Sequence, residues 1–270
     1  MTGDRVSPVG DDRPLGRPGT VDAVAEVDRA VRASSFGSVA ARYDRFRPGP
    51  PMTAVEWVLR GPTRRAADLG AGTGALTRLL RQRVDQVLAV EPDARMVDIL
   101  RQRSPEVPAV QAWAEHLPIR PGSLDAVTVA SAWHWMDPGP TVAEIGRVLR
   151  PGGVVGVIWN GADRTVDWVS DLLGTRDPSP GDRDRGERHR FGLPPGAPFE
   201  EPEDTVVEWA MPMTRQQLVG LAATYSSTIT MTPDEREREL ARVDAAAATV
   251  AGDGEVAVPM RCRCWRSVRR

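Results

Sequence analysis

The sequence predicts an α/β fold, a doubly wound parallel sheet with helices on both faces. Three observations carry that expectation. Short apolar runs of strand length alternate with stretches of helical periodicity from Ala66 to Trp159, the order that puts parallel strands in one covered layer. Crossovers between such strands are right-handed, which winds helices onto both faces. A glycine cluster, Gly70, Gly72 and Gly74, falls at the first handover from strand to helix, where the backbone must turn tightly. With 270 residues, 41% hydrophobic and 27% charged, the chain can bury a substantial core without disulfides or metal.

The elements follow in order. Residues 1–33 are rich in Pro, Gly, Asp and Arg and read as a disordered extension, leaving 34–270 as the folded domain. Phe36 to Pro51 reads as an amphipathic helix stopped by prolines, and Thr53 to Arg60 as a second helix before Gly61-Pro62. Ala66 to Leu69 is the first strand, and Leu76, Leu79 and Leu80 mark the helix after it. Val87 to Val90 is the second strand, closed by Glu91 and followed by a helix carrying Met96, Val97 and Leu100. Val107 to Trp113 and Leu124 to Ala130 are strand candidates, Val142, Ile145 and Leu149 mark a helix, and Val154 to Trp159 is the next strand. Residues 161–203 break the alternation; they are polar and Pro/Gly-rich, and their mixed-charge run Asp182 to Arg190 reads as a solvated loop. A strand from Thr205 to Trp209, helices over Arg215–Thr224 and Pro233–Val250, and a strand over Val256–Val268 complete the chain.

Composition excludes several chemistries. All basic residues are arginine, which removes a Schiff-base lysine, a pyridoxal anchor and the lysine of a phosphate-binding P-loop. Three histidines and two cysteines leave little for a metal cage; Cys262 and Cys264 share a strand face at a spacing unsuited to a bridge. A net charge of −2 gives no global case for nucleic acid or anionic lipid. No N-terminal apolar segment resembles a signal peptide, and no run approaches the about 18 apolar residues of a membrane span. A cytoplasmic protein is expected. The arginine-only composition suggests a GC-rich genome, which suits natural-product biosynthesis.

The chemistry concentrates in Asp68-Leu69-Gly70-Ala71-Gly72-Thr73-Gly74-Ala75. Gly70, Gly72 and Ala75 satisfy the dinucleotide pattern, with Glu91 about 20 residues on, so a nicotinamide-dependent oxidoreductase is one reading. Asp68 favours another. A carboxylate at the strand end repels a pyrophosphate but pairs with an ammonium. A ligand with an ammonium, a carboxylate and a ribose fits better, and S-adenosylmethionine (SAM) is such a ligand.

Asp68 to Gly74 resembles the first motif of class I SAM-dependent methyltransferases, and the resemblance runs in register from about Phe36 to the C-terminus. Leu88-Ala89-Val90-Glu91-Pro92 resembles the second-strand motif, Ala114-Glu115-His116-Leu117-Pro118 the adenine-flanking loop, Leu124-Asp125-Ala126-Val127 the fourth strand, and Arg150-Pro151-Gly152-Gly153 the turn before the fifth. The resemblance implies a Rossmann-like seven-stranded sheet with an antiparallel last strand, cap helices over 36–60 and lid helices over about 211–250. It implies that Asp68 and the loop of Gly70, Ala71, Gly72, Thr73 and Gly74 hold the methionine end of the cofactor. Glu91 takes the ribose, Pro92 and Met96 pack on the adenine, and Ala114 and Glu115 flank it. Trp113 departs from the acid or small polar residue often found there. Tyr43 and Arg47 resemble the cap residues that reach the cofactor carboxylate.

Ala130 ends the fourth strand where the methyl group should project. The following Trp133-His134-Trp135 resembles an aromatic-His-aromatic segment in small-molecule methyltransferases similar to trans-aconitate methyltransferase. Two readings of His134 stand: a general base for the acceptor, or a ring packed between tryptophans. Asn160 at the end of the fifth strand and Tyr225 in the lid complete the candidate acceptor site. No metal is expected. A non-catalytic SAM-binding protein is the rival reading. So is a nucleic-acid methyltransferase, kept open by the Arg-rich Arg261 to Arg270.

Overall fold

The computed structural model describes Phe46 and residues 48–173 and 191–270. Tyr43, Arg47, the extension over 1–33, most of the helix expected from Phe36 to Pro51 and the charged run 182–190 lie outside the described residues. The first two layers come from α1 (Met52–Leu59), β1 (Thr63–Leu69), α2 (Ala75–Leu80), β2 (Val84–Glu91), α3 (Ala94–Arg103), β3 (Ala109–Gln111), β4 (Leu124–Ala130), α4 (Pro138–Val148) and β5 (Leu149–Ala162). Then come α5 (Asp167–Leu173), β6 (Glu203–Thr214), α6 (Arg215–Ala222), α7 (Ser226–Ile229), α8 (Pro233–Ala251) and β7 (Glu255–Val268).

The strands form a seven-stranded sheet in the order β3-β2-β1-β4-β5-β7-β6. Pairings from β3 through to β5 are parallel, and β7 runs antiparallel to both β5 and β6. The antiparallel strand is thus last in sequence but not at the edge of the sheet. Central strands are buried on both faces, which demands the continuous apolar runs seen in the sequence. On one face Val55, Val58, Leu76 and Leu80 of α1 and α2 pack on Ala66, Val87, Ala126 and Ile158, and on the thiols of Cys262 and Cys264. On the other, Val142, Ile145 and Val148 of α4 cover Leu69, Val127, Val129 and Val157, together with Phe191 and Phe199. A Cβ on Gly156 would lie 2.7 Å from Val58, so glycine lets α1 approach β5 closely.

Helix ends carry their signals in the local sequence. Asp93 caps α3, accepting from Arg95 N, and Asp137 caps α4 ahead of Pro138. Thr214 with Gln217, and Thr232 with Glu235, form capping boxes at α6 and α8. Helices α6 and α8, with α5, enclose a separate cluster of Val169, Leu172, Leu218, Leu221 and Val243 against Met213, Val258 and Met260. Among the described residues no helix is long and apolar enough to cross a membrane.

Three expectations need correction. Residues 211–214, expected in the lid, belong to β6, which pairs with β7 along its full length. The supposed loop 161–203 contains α5, whose Val169, Leu172 and Leu173 are buried at helical spacing. β3 is only Ala109–Gln111, because it is an edge strand that pairs with β2 alone.

Candidate active site

The glycine turn closes the carboxyl end of β1. Gly70, Gly72 and Gly74 hold φ values of 62°, 56° and 89°, in the left-handed region that side chains disfavour. A Cβ on Gly70 would lie 2.6 Å from the Ala132 methyl. Ala71 N donates to Val90 O at 3.1 Å and Gly74 N to Ala71 O at 2.9 Å, which ties the turn to the end of β2. Asp68 is 1% exposed. Its Oδ2 accepts from Thr77 Oγ1 at 2.6 Å, while its Oδ1 has no hydrogen-bond partner among the described residues. Burial raises the Asp68 pKa from 3.8 to about 7; the Thr77 hydroxyl opposes that rise and the nearby Glu91 charge adds to it.

Glu91, buried at the end of β2, accepts from Gly72 N through Oε2 at 2.9 Å and from Asp93 N through Oε1 at 3.0 Å. Burial raises its pKa, and the two backbone amides pull it back down. Each carboxylate oxygen keeps acceptor capacity after these bonds. Pro92 follows, its carbonyl accepting from Gln111 Nε2 at 3.0 Å. The Met96 sulfur lies 3.7 Å from where a Gly72 Cβ would stand. Beyond β3, Ala114 is buried but Trp113 is 48% exposed, an indole with an open face beside the ends of β2 and β3. Glu115 Oε1 accepts from Asp137 N at 2.8 Å, joining the 114–118 loop to the start of α4. Leu117 N donates to Glu144 at 2.7 Å, and Arg147 donates to the carbonyls of Ile119 and Leu117 while pairing with Glu144.

The turn after β4 gathers aromatic rings around one imidazole. Ser131 takes φ 55°, uncommon for a residue with a side chain, and its N donates to Ile158 O at 2.9 Å. Trp133–Trp135 then form one 3₁₀ turn. Trp133 is buried, edge-on to Phe191 at 5.0 Å. His134 lies 4.2 Å from Trp135 and 5.0 Å from Trp159, centroid to centroid.

S-adenosylmethionine fits the β1–β2 residues on observations independent of any motif. Asp68 Oδ1 is a buried acceptor lacking a partner among the described residues, as an ammonium requires. The turn leaves no room for a Cβ at Gly70. Glu91 offers two oxygens to two adjacent hydroxyls. The family profile described as "Methyltransferase domain" matches residues 67–157. An uncharacterized methyltransferase of Mycobacterium tuberculosis is 40% identical over 238 residues, covering 86% of this chain and 95% of its own length.

The chain belongs to the class I SAM-dependent methyltransferases.

Solved structures agree on the fold. A structure from Anaeromyxobacter dehalogenans assigned to the type II methyltransferases is 25% identical with a TM-score of 0.57, covering 83% of this chain and 98% of its own. A phosphoethanolamine N-methyltransferase from Haemonchus contortus, bound to phosphomonomethylethanolamine and S-adenosylhomocysteine (SAH), is 15% identical with a TM-score of 0.54 over 90% of this chain and 60% of its own. In this methyltransferase the sheet brings Asp68, the glycine turn, Glu91, Pro92 and Met96 together, with Ala130 at the end of the neighbouring strand.

Asn160 and Tyr225 have contacts of their own. The Asn160 amide donates to Pro48 O at 3.2 Å and Gly49 O at 3.0 Å, and accepts from Trp209 Nε1 at 3.1 Å. Both its donor hydrogens serve the segment entering α1, so it positions that segment. Tyr225 lies under the Arg164 guanidinium at 5.0 Å and lines a cavity of about 450 Å³ with Ser227, Met231 and Arg242. Sequence reasoning missed Thr77, a buried hydroxyl on the apolar side of α2. It also missed the Glu144–Arg147 clamp, although an i, i+3 charge pair on a helix was its visible signal.

Proposed function

We propose that this methyltransferase methylates a small molecule whose reacting group lies at His134, with Trp135 and Trp159 as the walls. The observation that carries the reading is the placement of the His134 ring against both indoles, immediately after the strand that ends at Ala130. When bound, SAM supplies a methyl group on a sulfonium whose leaving group is already activated. The chain's own contribution is then to orient, to exclude water and to take a proton. Asp68 and Glu91 fix the two ends of the cofactor, and the Ser131 turn lays Ala132 over Gly70, so the β4 segment is set against the same turn. Holding the nucleophile at about 3–3.5 Å from the methyl is the largest available effect. His134 accepts the acceptor's proton where the nucleophile is a hydroxyl or amine, worth about 10²–10⁴ in rate.

The domain over 34–270 is proposed to carry all of this, with Tyr43 and Arg47 at the cofactor carboxylate and Trp113 beside the adenine. A cytoplasmic setting in natural-product metabolism is proposed from composition. The test is transfer of labelled methyl from SAM to a metabolite panel by wild type, His134→Ala and Trp159→Ala, with SAH binding measured in parallel. Transfer lost with binding kept supports the reading. Transfer unchanged in both variants, or binding lost with it, overturns the placement.

A further inference from the structure

The register of β7 puts two arginines next to the aromatic cluster. In the antiparallel β5–β7 pair Trp159 lies opposite Arg263, and Gly161 opposite Arg261. Directly opposed residues project from the same face, with Cβ atoms about 4.5–5.5 Å apart. Trp159 contacts His134 on that face, so Arg263 and Arg261 stand on it too, the second one further past the end of β4, whose Ala130 pairs with Ile158. Ligands of open α/β sheets bind beyond the carboxyl ends of the strands. The neighbouring Gly161 contributes no side chain, and a Cβ placed there would meet nothing within 4 Å among the described residues. Among those residues, nothing fills the space beside Gly161, next to Trp159 and Arg261.

These arginines differ from the others of β7 and its end. Arg266 bonds Trp57 O and Glu203, and lies over the Trp57 ring; Arg269 bonds Leu149 O and Arg270 bonds Ala197 O. Among the described residues Arg261 and Arg263 make no such side-chain bond, although a buried Nε without a partner is common to Arg261, Arg266 and Arg269. Two acids face them. Glu208 lies opposite Arg261 on β6 without closing to an ion pair. Asp163 gives Oδ1 to Thr165 N and Oγ1 and is held below the usual carboxylate range, first by Thr165 and then by the two arginine charges. The planar guanidinium fork matches a carboxylate or phosphate with paired hydrogen bonds.

We infer that the acceptor is an acid: Arg261 and Arg263 bind its anionic group, a carboxylate or a phosphate, while the atom to be methylated lies at His134. This inference names the substrate class of the proposed acceptor site and rests on that reading. The anion is an anchor and is not itself methylated.

The test is binding of three probes to the SAH-loaded protein by ligand-observed NMR: benzoate, phenyl phosphate and neutral benzamide. Wild type, the double variant Arg261→Gln/Arg263→Gln, and Trp159→Ala are compared, with SAH affinity confirming that each variant folds. The expected result is binding of at least one anion about tenfold or more tighter than benzamide, with that preference lost in the double variant. The stronger of benzoate and phenyl phosphate identifies the anion class. Equal binding of all three probes, no binding of any, or an anion preference that survives the double variant overturns the inference. Anion binding lost in the arginine variant but untouched in Trp159→Ala would instead separate the arginine site from the aromatic cluster, and the acceptor placement would be the part that fails.

Discussion

Replacing Asp68 with asparagine separates what this carboxylate does for the cofactor from what it costs the fold. Asp68 is 1% exposed, and burial lifts its pKa from 3.8 to about 7. A raised carboxyl pKa means that the native state prefers the proton, so stability is fully present below about pH 4 and is lost as the pH rises through 7. A shift of about three pH units corresponds to about 4 kcal/mol across that window, of which about 3 kcal/mol falls between pH 5 and pH 8. Asparagine keeps an oxygen for the Thr77 hydroxyl, bonded at 2.6 Å, and removes the titration. The melting temperature of ligand-free wild type should therefore fall relative to Asp68→Asn between pH 5 and pH 8, by about 2–4 °C for each kcal/mol. The cofactor should reverse the ranking. An ammonium at Oδ1 favours the ionised form, so SAM should raise the wild-type melting temperature at pH 8 and leave the variant nearly unmoved. Parallel melting curves for both proteins across this range would refute the claim that Asp68 is the buried titrating group, and equal SAM shifts would refute its role toward the ammonium.

Three other outcomes follow from the geometry. Gly70→Ala would add a methyl 2.6 Å from the Ala132 side chain at a φ of 62°, so SAH affinity should drop sharply with a loss of about 1–3 kcal/mol in denaturant unfolding; unchanged affinity would show that the turn is not the cradle. Arg147→Met removes donors to the Leu117 and Ile119 carbonyls and the partner of Glu144; hydrogen exchange should rise over 114–119 while α4 stays protected, and unaltered exchange there would discount the clamp. Gly156→Val forces side-chain atoms into Val58, which lies only 2.7 Å from where a Cβ at this position would stand, and should cost about 1–3 kcal/mol or more of stability, measured by chemical denaturation; a neutral result would mean that α1 is free to shift on β5.

The parts of the molecule legible in the sequence are those governed by local rules. Parallel strands buried on both faces must be continuous apolar runs, so β1, β2, β4 and β5 are evident from their residues. Thr232 with Glu235 marks a helix start because the box satisfies backbone groups locally. Asp68, Gly70 and Glu91 are legible because close backbone approach and a paired carboxylate narrow the residue choice. What escapes depends on distant partners. The length of β6 is set by pairing with β7, and Pro212 gives no local hint that the strand continues to Thr214. Asn160 has the position of an acceptor ligand at the end of β5, but its amide is turned to Pro48, Gly49 and Trp209, residues 49 or more positions away. The Arg261–Trp159 neighbourhood depends on antiparallel register, which the strand patterns alone do not specify.

The central claim is that Glu91 and the β1 turn form the cofactor site, and calorimetric titration with SAH tests it most directly. Saturable one-to-one binding by wild type, abolished in Glu91→Ala while the variant keeps its circular dichroism, is the predicted result. Equal binding by both proteins would contradict it.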